Sequence, residues 1–234
     1  CSSLTSLDIT NFNTKKVKNM NKIFNYCESI TELNLQNFDT SEVTDMTKMF
    51  SSCKSLENLD LTNFNTSNVI YFTSLFESCT NLKSINLSLM NTNNVIDMSR
   101  MFYNCQSLTS LDLNNFNVKN VIDMNSMFSN CNSLKEINFF NTKTEKLTDI
   151  SYMFDGCENL ISLDLSTFDT SKVTDMTNLF KNCIKLTSLN LTNFETENVK
   201  DMENMFQNCK SLKKLDISNF NMNTVTSLGK FLES

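Results

Sequence analysis

The sequence contains no His, no Pro and no Trp, only two glycines (Gly156 and Gly229), and one arginine, Arg100. Each absence removes a class of chemistry. Without His there is no Ser-His-Asp or Cys-His nucleophile pair and no His-ligated metal. Two isolated glycines make neither a phosphate-cradling loop nor a dinucleotide fingerprint. A net charge of −6 lacks the basic stripe that a nucleic-acid partner requires. No apolar run approaches the roughly 18 residues of a membrane span, and no charged-then-apolar leader is visible at the start. These absences leave a chain that is 40% hydrophobic, enough for a core. No enzyme activity, catalytic constellation or cofactor is expected of it.

What is present is a strict period. Nine cysteines stand at Cys1, Cys27, Cys53, Cys79, Cys105, Cys131, Cys157, Cys183 and Cys209, every gap being 26, so that nine units fill the 234 residues. A fixed period in this range means stacked supersecondary units. Counting each unit from its Cys, position 4 is Leu or Ile throughout, positions 7 and 9 are Leu or Ile except for Phe139, and position 12 is Phe except for Met90 and Thr142. Position 17 is Val except for Leu147, position 20 is mostly Met, and position 24 is Phe except for Leu232. These columns are the predicted core.

Apolar 7 and 9 between polar neighbours predict a strand. Val-x-x-Met at 17–20, with β-branched residues at 18, predicts a second short strand. Asn, Thr or Ser at 21 reads as a helix N-cap, followed by one or two helical turns through 23, 24 and the next Cys. Phe-Asn/Asp-Thr at 12–14 is turn chemistry. The expected fold is an α/β solenoid: a right-handed array of nine 26-residue coils over residues 1–234, each with a parallel β-strand, a second short strand and a short helix.

Two polar columns invite a chemical reading. One Cys per coil forms a line rather than a tetrahedral cluster, and disulfide geometry is tighter than strand spacing permits, so each thiol is expected to be a small buried hydrophobe. Position 19 carries Asp45, Asp97, Asp123, Asp149, Asp175 and Asp201. The structural expectation is that each carboxylate, two residues before the N-cap, accepts from backbone N–H groups at the helix start. The alternative is a divalent-cation column over Asp97, Asp123, Asp149, Asp175 and Asp201. At position 8, Asp and Asn alternate from Asp8 to Asp216, which separates like charges on adjacent strands.

Exposed apolar residues discriminate more. Ile70, Ile96 and Ile122 occupy position 18 in three consecutive coils, beside Tyr71, and form a candidate partner-binding stripe. Phe140 and Ile161 are candidates on the other outer face. Unit six departs most from the pattern, with Phe139, Phe140 and Thr142, and a local distortion is expected there.

Units such as CENLISLDLSTFDTSKVTDMTNLFKN, Cys157 to Asn182, and CESITELNLQNFDTSEVTDMTKMFSS, Cys27 to Ser52, resemble the BspA-type leucine-rich repeats of surface proteins, and more closely the 26-residue variant of mycoplasma lipoproteins. The resemblance covers the whole chain. It implies a non-catalytic cell-surface or extracellular protein, often linked to adhesion, with a protein or glycan on a host or neighbouring cell as partner. Register with the repeat is a sufficient reason for Cys1, so its lipidation is not expected. A start and stop on unit boundaries suggest an array excised from a longer surface protein, anchored through a segment outside this chain. The alternatives are a structural spacer or antigenic coat, and an intracellular interaction scaffold suited to free thiols.

Overall fold

The computed structural model describes residues 1–234. Four short strands fall on the predicted positions: β1 (Ser110–Asp112), β2 (Glu136–Asn138), β3 (Ser162–Asp164) and β4 (Ser188–Asn190). β1 pairs with β2 and β3 with β4, both parallel, in the register Leu111 to Ile137 and Leu163 to Leu189. The step is one repeat. At position 19 the second expected strand reduces to single parallel bridges, and these run without a gap from Asn19–Asp45 to Asp201–Ser227. The molecule is therefore a repeat solenoid in which regular strand is a minor part.

The predicted helix is absent, and the hydrogen bonds show why. After position 20 the amides alternate in direction. Those at even positions cross to the following coil: Met20 N–H donates to Asp45 O, Lys22 to Thr47, Phe24 to Met49 and Tyr26 to Ser51, at 2.9–3.0 Å. Those at odd positions turn back three residues: Ile23 to Met20, Asn25 to Lys22 and Cys27 to Phe24. Half of the amides a helix would need are thus committed to the neighbouring coil. Positions 22 and 26 also take positive φ, for instance Lys22 at 60° and Tyr26 at 59°, which breaks any right-handed run and is the mark of a type II turn. Such a conformation costs a non-glycine residue about 1–2 kcal/mol. Position 26 softens that cost with Asn104, Asn130, Asn182 and Asn208, which tolerate it, and with Gly156 at φ 76°. A Cβ on Gly156 would also approach Asn130 Oδ1 to 2.7 Å.

The core is one cluster of 62 buried residues. Its spine is the position-24 phenylalanines, which stack at centroid separations of 5.4–5.9 Å from Phe24 through Phe50, Phe76, Phe102, Phe128, Phe154 and Phe180 to Phe206. Beside it runs a column of buried threonines at position 14. The Thr66 hydroxyl donates to Asn91 O at 2.9 Å and accepts from Asn91 N at 2.7 Å, and Thr14, Thr40, Thr92, Thr144, Thr170 and Thr196 repeat this. Each buried hydroxyl fastens one coil to the next.

Unit six shows the expected distortion. Position 12 holds Thr142, and its N–H does not close the turn that Phe64 closes on Leu61 O at 2.9 Å. Phe140 turns inward instead. It is 1% exposed and lies 5.3 Å from Phe168, the position-12 ring of the next coil. Phe140 is therefore a core residue, which corrects its reading as an outward partner contact. The coil lacks its usual ring, and Phe140, two residues early, fills the slot.

Candidate interaction surface

Apart from the exposed Cys1, the cysteine column is closed to chemistry. All nine thiols are free, and those from Cys27 to Cys183 are buried. From Cys53 onward each donates to the Phe carbonyl 29 residues back, as Cys53 Sγ does to Phe24 O at 3.3 Å and Cys105 Sγ to Phe76 O at 3.1 Å. Burial pushes the Cys53, Cys131 and Cys209 thiols up to about 12. They stay protonated at neutral pH and are poor nucleophiles.

The aspartates of position 19 serve as local caps. Oδ1 accepts the N–H two residues on in every case, from Thr47 to Asp45 at 2.8 Å through Ser99, Asn125, Ser151, Thr177 and Glu203. The predicted acceptor role holds, although the capped segment is a chain of turns and not a helix. No group of three or more His, Cys, Asp or Glu side chains is placed to hold a metal ion. Asp123, at the middle of the column, is raised to about 6, chiefly by burial, with Asp149 and Asp97 adding repulsion against the stabilising Asn125 N–H. Position 8 makes the same kind of turn: Thr10 caps on Asp8 and Thr62 on Asp60, which holds both carboxyls below their ordinary value. Along that column one Asn-to-Asp link is formed, Asn190 Nδ2 to Asp164 Oδ1 at 3.0 Å.

The isoleucine stripe is contiguous. Ile70 N–H donates to Thr44 O, Ile96 to Ile70 O and Ile122 to Ile96 O at 2.8–3.0 Å, so the three side chains follow one another along successive coils. The flanking columns, Val69, Val95 and Val121 at 17 and Phe72, Met98 and Met124 at 20, are fully buried. Ile70 and Ile96 are half-buried, whereas Ile122 and Tyr71 are 42% and 40% exposed. Tyr71 stands where other coils carry the capping Asp. Ile161 is exposed at position 5, half a coil away from the stripe, and is not brought together with it.

The sequence reading missed a set of side chains that cross between coils. Asn at position 11 reaches back to the preceding turn: Asn63 Nδ2 donates to Leu35 O and Phe38 O, and Asn115 to Leu87 O and Met90 O, at 2.9–3.2 Å. Asn68, Asn94, Asn120 and Asn198 do likewise from position 16. The near-invariance of Asn at 11 was the available signal. Leu89 and Thr167 interrupt that column, and Leu89 is left 62% exposed.

The repeat register, the apolar columns and the stacked coils define a leucine-rich-repeat solenoid built from 26-residue units. The chain belongs to the family described as "Mycoplasma protein of unknown function, DUF285", whose model matches residues 1–88, 60–162 and 135–234. Comparison with curated proteins gives no match. Among solved structures the chain is similar to a leucine-rich repeat protein from Eubacterium ventriosum, with 19% identity over 82% of this chain and 56% of that one and a TM-score of 0.45. It is similar to an internalin from Listeria monocytogenes, with 20% identity, 87% and 61% coverage and a TM-score of 0.37. It is also similar to the T. pallidum leucine-rich repeat protein, with 19% identity, 93% and 81% coverage and a TM-score of 0.41. The chain spans less than two thirds of the first two. No helix of the molecule is long and apolar enough to cross a membrane.

Proposed function

We propose that residues 1–234 form a single solenoid domain of nine coils, part of a longer cell-surface protein, that acts as a non-catalytic binding scaffold. Its docking stripe is Ile70, Tyr71, Ile96 and Ile122, and its partner is a protein or glycan on a host or neighbouring cell. The observation that carries this reading is the stripe itself. Position 18 is Thr or Lys in all the other coils, whereas here three isoleucines follow one another along successive coils. Hot-spot residues are scarce around it, which favours weak, multivalent contact. Immobilised chain should retain a partner from extracellular-matrix or cell-surface extracts, and replacing all three isoleucines by Thr should release it. Retention by the triple variant would remove the stripe from the proposal.

A second reading, a spacer or coat whose length scales with the number of coils, is favoured by the threonine and asparagine columns. They fasten each coil to the next in the same way, so coils can be added without changing the surface. Under that reading neither extract yields a partner.

A further inference from the structure

The asparagine column at position 11 is broken at Leu89 and Thr167, and each break adjoins a surface depression, of 260 Å³ beside Leu89 and 310 Å³ beside Thr167. The two differ in chemistry. The second is lined by Lys143, Ser166, Thr167, Asp169, Asn193 and Glu195, with the rings of Phe168 and Phe194 beneath. Thr167 is too short for the job that Asn does elsewhere, and its Oγ1 is buried with no hydrogen-bond partner.

The two acids are held firmly. Buried threonines of the preceding coils clamp their backbones: Thr144 Oγ1 donates to Asp169 O at 3.0 Å and accepts its N–H at 2.9 Å, and Thr170 Oγ1 does the same for Glu195 at 2.8 and 2.7 Å. Asp169 Oδ1 accepts from Ser171, which holds this carboxyl below its ordinary value, while Oδ2 carries no hydrogen bond. Glu195 and Lys143 enter no ion pair. The groove therefore offers two carboxylate acceptors on clamped backbone, that of Asp169 also fixed by Ser171, with the Lys143 amine as donor and hydroxyls that do both.

We infer that this groove between the sixth and ninth coils is a binding site for a neutral saccharide. A ligand hydroxyl both donates and accepts, so it can engage the carboxylates and the Lys143 amine together. An ammonium or guanidinium group only donates and would leave the Lys143 amine unmatched, whereas the Asn193 amide is already engaged with Ser166 O at 2.6 Å. A volume of 310 Å³ suits a short stretch of sugar units lying along the groove. The inference rests on reading the chain as a binding scaffold, but on a different face from the isoleucine stripe.

The test is calorimetric titration of the whole chain with neutral gluco-, galacto- and chito-oligosaccharides of two to four units, their sulfated counterparts, and a short Lys-rich peptide. Binding by at least one neutral series, with the sulfated form weaker, is expected. The array supplies its own variants: Asn already occupies position 13 in five coils, so Asp169→Asn with Glu195→Asn retains a familiar corner and should keep the thermal midpoint. It should weaken saccharide binding about tenfold or more, the scale of two lost charge-assisted hydrogen bonds. Thr167→Asn, the residue of seven other coils, should narrow the groove and weaken binding similarly. The Ile70, Ile96 and Ile122 to Thr variant should bind saccharide as before, and loss of extract binding in that variant alone would separate failure of the stripe from failure of the groove. Binding of the Lys-rich peptide in place of sugars, full saccharide affinity in both groove variants, or no heat with any neutral saccharide would overturn the inference.

Discussion

The coil from Cys53 to Ser78 and the coil from Cys131 to Gly156 face the same packing problem with different residues. In the first, Phe64 fills the position-12 slot, its N–H closes a turn on Leu61, Asn63 caps the coil behind and Thr66 fastens the coil ahead. In the second, Thr142 stands at position 12, and Phe140 has moved in from position 10. A second irregularity lies one coil earlier, where Val118 replaces the column threonine. There the Thr142 hydroxyl reaches back, accepting from Val118 N–H at 2.9 Å and donating to Phe116 O at 3.4 Å. The link between coils survives with its direction reversed. The solenoid thus requires a filled apolar slot and a polar tie at each level, and is tolerant of which residue supplies them.

The sharpest way to break this equivalence is to empty the slot in each coil. Phe64→Ala and Phe140→Ala should each cost about 3–5 kcal/mol in urea unfolding, the range for removing a fully enclosed ring. If Phe140 were a surface residue the cost would stay within about 0.5 kcal/mol. A near-neutral Phe140→Ala beside a costly Phe64→Ala would show that Phe140 is no replacement. The polar ties come next. Thr66→Val leaves the Asn91 N–H without its partner, and Thr142→Val does so for Val118, so each should cost about 1–3 kcal/mol. A neutral Thr142→Val would mean that the reversed tie contributes nothing.

The comparison also shows what could be read from the residues. The apolar columns at 4, 7, 9, 12, 17, 20 and 24 were legible, because a 26-residue period places like on like whatever the local geometry. The strand at 6–8 was legible from alternation, and the acceptor role of Asp at 19 from its place two residues before the expected cap, although the N–H it takes belongs to a turn and not to a helix. The helix was misread for a physical reason. Apolar residues at 20, 23, 24 and the following Cys suit one helical face, yet a chain of alternating turns buries the same set, and the amides bonded to the next coil decide between them. No local pattern displays those bonds. Phe140 was misread because its environment depends on a missing ring two residues later. The groove at Thr167 needed knowledge of what Asn does at that position.

The smallest effect separates the middle of the aspartate column from its ends. Asn19 accepts from Asn21 N–H at 2.8 Å in the same turn that Asp123 makes with Asn125, so a neutral amide serves the cap equally well. Asp123 differs in being pressed by burial and by Asp97 and Asp149, and titrates at about 6 against an ordinary 3.8. Because the folded value is the higher one, the folded chain holds a proton that the unfolded chain has lost between those two values. Stability from this group is therefore complete below about 3.8, falls as pH rises through about 6, and is lost above it. Asp123→Asn removes the charge and keeps the cap. It should stabilise the chain at pH 7.5 by about 1 kcal/mol, allowing for solvent screening of a partly exposed carboxylate, and should bring no gain at pH 3.5. Urea midpoints for both proteins at the two pH values provide the measurement. A gap that stays constant with pH would show that the column's middle carries no more electrostatic strain than its ends.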